Sequence, residues 1–487
     1  MADTNRSRLS VVGEIQQGIV PTVTFAGLGG SNLLRVRKTS EGINFPKSTK
    51  VSDEIREDRN ITNLIDMGGQ VGGNIAFEMY APGQSSDQNL FLQTAYCSQF
   101  LDMRFIANVD GGGAGGQFAA TTITLAAGFL NVMPIVGDII SLRNTGNGND
   151  GAYQVTTVAG QVLTLAALPG FGASPLNVGP SSPGMTISFA GRFYASGPTI
   201  SATGLITFPA AHSLPVVPGQ WIKLANCTVP AMNTFVRVFS TTSTTIQVDS
   251  RPAGWIATTA QPNFYVFAGS YLRNGTQENS FSLEQAVLDI SAPYYSISSG
   301  CLIDQASFSF DTGAAVTGSY TVMGIGHSAG IGTTLGSPAP ALTTRAMSSR
   351  TNVARMTFNG GSLSGLASAK SMSFAIANNL RAKPGIGSSG LIGIGQGNFS
   401  ITGQMTSYFS DGASYDLYLS GGTASIATAY GIDNQYVLQT IPRLQMTSNQ
   451  HTAGGSNQDI SAVIAFQGLI DPMTGCAAQV DYFDFAF

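Results

Sequence analysis

Gly326-His327-Ser328-Ala329-Gly330 matches the GxSxG pattern that, on a strained strand-to-helix turn, lifts a serine hydroxyl clear of an α/β-hydrolase sheet. A strand-like stretch, Ser319 to Met323, precedes it, and Asp411, Asp416, Asp433 and His451 follow. The residues after the motif argue against that chemistry. Ile331-Gly332-Thr333-Thr334-Leu335-Gly336-Ser337-Pro338 cannot open a helix, and no βαβ alternation surrounds it. A chain with 59 glycines meets this pattern by chance, so no catalytic residue is assigned and an enzyme is not expected. His212, His327 and His451 stand among Gly, Ser, Ala and Thr without carboxylates at ligand spacing, so neither a metal nor a cofactor is expected. Gly390 to Gly397 holds four glycines in neither a dinucleotide nor a P-loop spacing and reads as a turn or flexible arm. Asp481 and Asp484 lie in an apolar C-terminal strand and read as its exposed alternates, not as a tuned acid and base.

The residues that stand out instead are charges suited to assembly. Of the 50 charged residues, 12 fall between Arg35 and Arg59, among them Lys47, Lys50, Asp53, Glu54, Arg56, Glu57, Asp58 and Arg59. A mixed-sign stretch on an otherwise bland body suits a self-assembling subunit, because both partners of each contact come from one sequence. A solvated loop is the plainer reading of such a run. The stretch also has a counterpart. Pro46 to Tyr80 and Ser371 to Phe409 each lead a loop into a strand, with Asn379-Leu380-Arg381 standing where Glu54-Ile55-Arg56 stood and Gly403 to Tyr408 where Gly73 to Glu78 stood.

Composition sets the frame for these residues. The chain has 487 residues, room for about three domains. Charged residues make up only 10%, too few for many surface helices laced with ion pairs, while Gly, Ser and Thr are abundant, so the chain reads as mainly β. A net charge of −4 offers no basic footprint for gripping nucleic acid. Cys97, Cys227, Cys301 and Cys476 have no CxxC spacing and read as buried small hydrophobes in a reducing compartment. Met1 to Ser10 is polar and no apolar run reaches the roughly 18 residues of a membrane span, so a soluble chain without export signal or membrane anchor is expected.

Along the chain, Arg8 to Ile15, Pro21 to Phe25 and Gly73 to Tyr80 read as strands, the last with Ile75, Phe77 and Met79 on one face. Ser85 to Tyr96 reads as a short helix, with Ser85 or Ser86 as N-cap and Leu90, Phe91 and Ala95 as its apolar side. Gly111 to Gly116 marks an insertion boundary. Beyond it Pro134, Gly137, Ile140, Leu142, Asn144 and Tyr153 recur as Pro215, Gly219, Ile222, Leu224, Asn226 and Phe235, an offset of about 82 residues, and Leu163 and Leu165 recur as Ile246 and Val248. Two small β units in tandem are expected there. Ser280 to Gln285 and Ala306 to Phe310 alternate strictly and read as half-buried strands. Gly330 to Lys370 reads as an extended connector, and a second helix is expected over Asp411 to Leu419, with Tyr415, Leu417 and Tyr418 for packing and Gly421 to end it.

The chain resembles the major tail proteins that form the tube of long non-contractile bacteriophage tails. The resemblance rests on Val51-Ser52-Asp53-Glu54-Ile55-Arg56-Glu57-Asp58-Arg59, Val71 to Glu78, Tyr271 to Glu278, Asn378 to Pro384 and Asp471 to Cys476. It implies two tail-tube β-sandwich domains, each flanked by a short helix, with the two small β domains inserted in the first. The expected division is 1–116 with 268–330, inserts 117–190 and 191–267, a connector 331–370, and a second tube domain 371–487. Two tube domains per chain imply a homotrimeric, pseudo-hexameric ring, stacked into a tube around a tape-measure protein and ended by tail terminator and distal tail proteins. In similar proteins the long early loop reaches the next ring. That role falls here on Phe45 to Thr62, with Lys47, Lys50, Asp53, Glu54, Arg56, Asp58 and Arg59, and on its counterpart with Arg381 and Lys383. Few apolar anchors are evident in this loop, so it is expected to order on stacking. The resemblance places the protein in the virion, assembled in the bacterial host cytoplasm, with double-stranded DNA passing without tight binding through a slightly acidic lumen. The inserts are expected outside as decoration, with Trp221 and Trp255 the only hint of a sugar site. A β-rich adhesin or surface-layer protein is the alternative, and it would need an export signal.

Overall fold

The computed structural model describes residues 6–21, 33–81, 86–101, 116–126, 129–130, 132–143, 145–168, 174–181, 185–332, 334–336, 338, 344–362, 369–409, 412–453, 455–456 and 458–485. The expected strand at Pro21 to Phe25 beyond its first residue, most of the Gly111 to Gly116 boundary and the start of the second helix at Asp411 lie outside the described residues. The rest is mainly β with two short helices, as the low charge and high Gly, Ser and Thr content imply.

Nine strands and one helix make a first series. They are β1 (Ser7–Gly13), β2 (Ser40–Glu41), a hairpin of β3 (Lys47–Val51) and β4 (Leu64–Gly69), β5 (Val71–Glu78) and α1 (Asp87–Ala95). After an insert come β6 (Phe281–Val287), β7 (Tyr294–Asp311), β8 (Thr317–Gly324) and β9 (Gly326–Ile331), which makes nine strands in all before the series is repeated. In β5 the period of two sends Val71, Ile75 and Phe77 into the core and leaves Asn74 and Glu78 exposed. α1 is capped by Ser86, whose hydroxyl accepts from the Asn89 N–H at 3.2 Å, and its Phe91 ring meets Phe281 and Tyr320 at 5.3 and 5.1 Å. Asp87 in the first turn is buried, which raises its carboxyl, and it accepts from the Tyr80 hydroxyl and the Arg37 N–H.

The same order then runs a second time. β10 (Val353–Phe358), β11 (Ala369–Ala377), a hairpin of β12 (Arg381–Pro384) and β13 (Leu391–Gly395), β14 (Ser400–Tyr408) and α2 (Ala413–Leu419) are followed by β15 (Thr423–Ile432), β16 (Gln435–Thr452), β17 (Ser461–Gly468) and β18 (Gln479–Phe483). Each strand pairs as its counterpart nine places earlier does. The match extends to register: Phe281 opposite Cys301 and Leu283 opposite Ser298, with a bulge between, recur 143 residues further on as Ala424 opposite Leu444 and Ile426 opposite Ile441, with the same bulge. A second bulge, at Asp304 on β7, recurs at Thr447 on β16.

β7 and β16, each 18 residues long, serve two layers. Their first halves lie in outer layers, β1-β6-β7-β9 and β10-β15-β16-β18, and their second halves join one central sheet with the order β2-β5-β8-β7-β11-β14-β17-β16. The two repeats therefore share a single sheet, fused where β7 pairs with β11 from Gln305 opposite Ala377 to Asp311 opposite Ser371. A continuous core including Ile75, Phe77, Phe308, Tyr320, Phe374, Tyr430 and Phe466 fills the space between the layers.

Strands from Gly116 to Ala268 form a separate 13-stranded sheet that reads nearly the same from both ends. Thr122–Leu125, Val162–Ala167, Gly151–Ala159 and Asp138–Arg143 neighbour one another on one side, as Leu205–Thr207, Thr245–Val248, Phe235–Thr241 and Trp221–Ala225 do on the other. The halves meet where Thr186–Ser196 pairs with Pro262–Ala268. The matched Gly137 and Gly219 both take a positive φ, 93° and 87°, at the turn into the matched strands. Each half has its own apolar core.

This sheet lies against the outer layer of the second series. Trp221, Phe235 and Phe267 pack on Ala427, Ala429, Leu438 and Phe483, and the Trp221 indole donates to Thr440 at 2.9 Å. Asp481 and Asp484 are consequently buried, at 1% and 7% exposure, and are not exposed alternates. An alternating pattern reveals one solvated face only when nothing covers that face. The same reasoning corrects Phe281 to Glu284, buried on both faces, where Glu284 pairs with Arg8 at 2.7 Å and accepts from Thr334 and Leu335. Two further readings change. The stretch read as connector contains β10, and Gly390 to Gly397 is mostly strand β13, not a flexible arm.

Candidate assembly surfaces

The charged loop is a two-stranded hairpin standing away from the main sheets. Lys47 pairs across it with Asp66 at 2.8 Å, Lys50 meets Asp53 at 2.7 Å, and Arg56 makes two bonds to Asp58, each 3.0 Å. Arg56 and the Asn60 N–H draw the Asp58 carboxyl down to about 2. Glu54 is exposed, its N–H close to the Ser52 hydroxyl, and Arg59 turns the chain at φ 58°. These ion pairs are local to the hairpin and exposed, so each contributes little to stability.

The reading of a loop with few apolar anchors is corrected by what else the hairpin carries. Ile55 is 98% exposed, and Val51, Ile61, Leu64, Ile65 and Met67 are exposed as well. An isolated two-stranded ribbon is marginal in water, and bare apolar surface of this kind is a feature of interaction sites. The signal was present in the sequence as apolar residues without the alternation of a half-buried strand. It was masked by the density of charge around it.

The second hairpin holds Arg381 and Lys383 on an exposed strand, Arg381 donating to the Gln396 carbonyl at 3.1 Å. Ile386 at its tip and Ile392 are exposed, while Leu391 and Ile394 pack with Leu302. The fold brings the hairpins together, since the Gly69 N–H donates to the Ser389 carbonyl at 3.0 Å. A Cβ on Gly69 would lie 2.5 Å from the Pro46 carbonyl, so the pairing of β4 with the start of β3 needs glycine there.

A second surface is the open face of the central sheet. Ser307, Ser309, Ser319, Ser373, Thr402 and Gln404 line a shallow trough of about 690 Å³, and none of its lining residues is charged. Exposed Glu78 and Asp311 stand at one end of the strands, where they face Thr317 and Ser371. This face is a wall of hydroxyls and small side chains.

The motif Gly326 to Gly330 runs through β9, with His327 opposite Ser298 and Ser328 opposite Ile297, so the strand-to-helix turn of a hydrolase is not formed. His327 stacks on Phe45 at 5.7 Å, while His451 lies against Phe409 and Tyr415 at 4.4 and 5.0 Å. His212 is held by backbone, Nε2 at 2.6 Å from the Thr242 carbonyl and Nδ1 accepting from the Leu214 N–H at 3.0 Å. Among the described residues no three His, Cys, Asp or Glu side chains form a metal-binding group, and no helix is long and apolar enough to cross a membrane. All four cysteines are buried free thiols. Trp221 is consumed by the contact beneath the insert, and Trp255 donates to the Ser201 carbonyl at 2.9 Å.

A duplicated β subunit with a shared sheet, a neutral open face and projecting apolar hairpins defines a structural protein built to join copies of itself. The family model described as phage tail tube protein matches residues 4–468, and the chain belongs to that family. No curated protein matches it. The family implies self-assembly into a tube within the virion and does not favour the adhesin reading.

Proposed function

We propose that three copies of this chain close into a pseudo-sixfold ring, and that rings stack into the tube of a long non-contractile tail. The observation that carries this reading is the duplication: two equivalent units already share one central sheet, so each chain supplies two of six places. Closing the sheet on itself removes its edges, a hazard for any β subunit left open.

In this reading the tube domains are 1–116 with 268–330 and 371–487, and the trough face of the central sheet lines the channel. The inserts, 117–190 and 191–267, decorate the outside. Their support is position, since they cover the layer on the far side of the core from the trough. The hairpins carrying Lys47, Lys50, Asp53, Glu54, Arg56, Asp58 and Arg59, and Arg381 and Lys383, meet the next ring, with their exposed apolar side chains at the centre of the contact and the charges around it. The subunit polymerises around a tape-measure protein in the host cytoplasm, is capped by terminator and distal tail proteins, and performs no catalysis. Double-stranded DNA passes through during genome ejection without tight binding, because neutral hydroxyls supply no cations to displace its counterions.

Negative-stain electron microscopy of the concentrated protein, with its mass in solution, tests this. Three-subunit rings or tubes with outward projections are expected. A monomer that never assembles, even with a tape-measure partner, would overturn the reading.

A further inference from the structure

Resting on that ring reading, the duplication says which strands join one copy to the next, and in what register. The central sheet contains one finished junction, β7 with β11, and ends in the two strands that would form another. At one edge, β16 from Met446 onward pairs only with β17 among the described residues. At the other, Ser40 to Asn44 pair only with β5 among the described residues, through Ser40 opposite Ala76, Glu41 opposite Ile75 and Asn44 opposite Gly72. Such edges present unpaired N–H and C=O groups to any strand of matching geometry.

The register transfers because both edges have counterparts inside the chain. The bulges at Asp304 and Thr447 align β7 with β16, so that Gln450 stands where Ser307 does and His451 where Phe308 does. β8 and β17 align β5 with β14, which puts Gly73 on Gly403 and Ala76 on Thr406. Ser40, opposite Ala76, therefore matches Ser371, opposite Thr406, and Ile43 and Asn44 match Phe374 and Ala375. Inside the chain Ser307 lies opposite Ala375 and Phe308 opposite Phe374, the two rings 5.2 Å apart.

We infer that Ser448 to Ala453, at the end of β16, pairs antiparallel with Glu41 to Pro46 of a second copy, Gln450 opposite Asn44 and His451 opposite Ile43. Two local features fit. His451 is exposed although its counterpart Phe308 is buried at 1%, because among the described residues no strand of the same chain pairs beyond it. The Ile43 carbonyl accepts from the Gln285 side chain at 3.1 Å, a cap that an incoming backbone N–H would replace. On the trough side the junction adds Ser448, Gln450 and Thr452, so the neutral wall continues across it.

The test is a disulfide scan in the full chain. Facing residues of an antiparallel pair lie about 4.5 to 5.5 Å apart at Cα, within disulfide reach, and the native cysteines are buried. Gln450→Cys with Asn44→Cys, oxidised under conditions where wild-type rings are seen, is expected to give a covalent trimer that reductant dissolves. Each single variant should stay uncrosslinked. Ser307→Cys with Ala375→Cys should close within one chain and calibrate the oxidation. Gln450→Cys with Gly42→Cys, two residues out of register at a site where a new side chain meets nothing, should stay open. Rings that crosslink only through the shifted pair, or not at all while the internal control closes, overturn this pairing and leave the ring intact. Wild-type protein that forms no rings overturns the ring reading and this pairing with it.

Discussion

Arg143 donates to Asp484 at 2.6 Å across 341 residues of chain, tying the inserted sheet to the end of the C-terminal strand. Burial works to raise the Asp484 carboxyl, but Arg143, Ser141 and Gln435 outweigh it and hold it below the usual carboxylate range. Arg143→Ala would strand a buried charge, so a loss of roughly 3 kcal/mol in urea unfolding is expected, the low end for a broken buried pair because Arg143 is partly exposed. The pair stabilises above the unfolded carboxyl's titration near pH 4 and loses that contribution as pH falls through the lower folded value. An unchanged midpoint in Arg143→Ala would show that the insert is held by apolar contact alone.

Asp481, three residues earlier, behaves in the opposite sense. Burial pushes its carboxyl up to about 7, with bonds from Gln479 at 2.8 Å and the Trp221 N–H at 3.3 Å only partly offsetting this. The folded protein then holds a proton that the unfolded chain releases, so stability should fall as pH rises from about 4 towards 7 and level off above it. Asp481→Asn should flatten that slope and leave the variant more stable than wild type at pH 8. Unfolding curves at several pH values measure it, and a slope unchanged in the variant would assign the pH dependence elsewhere.

These two aspartates also mark where sequence reading stops. Strands such as β5 and the helix α1 are legible because their signals are local: a period of two in Ile75 and Phe77, and a cap at Ser86. The tandem units of the insert were legible because Gly137 and Gly219 mark the same turn. The stricter repeat at 143 residues was not, because a β position demands only that a side chain fit its face: Ser298 is matched by Ile441, and Phe281 by Ala424. What covers a strand is written elsewhere in the chain. Arg355 sits where Arg8 does in the first series, yet Arg8 meets a carboxylate and Arg355 donates to the Phe235 carbonyl of the insert.

The neutral trough makes a prediction about cargo. Ser373→Lys with Thr402→Lys would place cations among exposed positions of the open face without touching the core. Assembly should be unchanged. DNA release from phage carrying the variant should slow at low salt and recover as salt rises, since each phosphate contact adds about 0.9 to the salt slope. Release that is equally fast at every salt concentration would mean that this face does not line the DNA path.

The hairpin of β3 and β4 separates two accounts of ring stacking, one led by charge and one by apolar burial. Ile55 is 98% exposed and Leu64 59%, so replacing either with Asp removes nothing from the fold, and chain stability should move by no more than about 0.5 kcal/mol. If stacking covers them, each lost contact is worth roughly 1.5–3 kcal/mol, and Ile55→Asp should raise the concentration needed for tubes at least about tenfold. Arg56→Glu with Arg59→Glu exchanges exposed charges whose pairing contributes little individually. It should shorten tubes chiefly at low salt, where screening is weak. Sedimentation and negative-stain length distributions distinguish the accounts. Normal tubes from Ile55→Asp alongside none from the arginine variant would give the contact to charge, and full-length tubes from both would remove this hairpin from the ring interface.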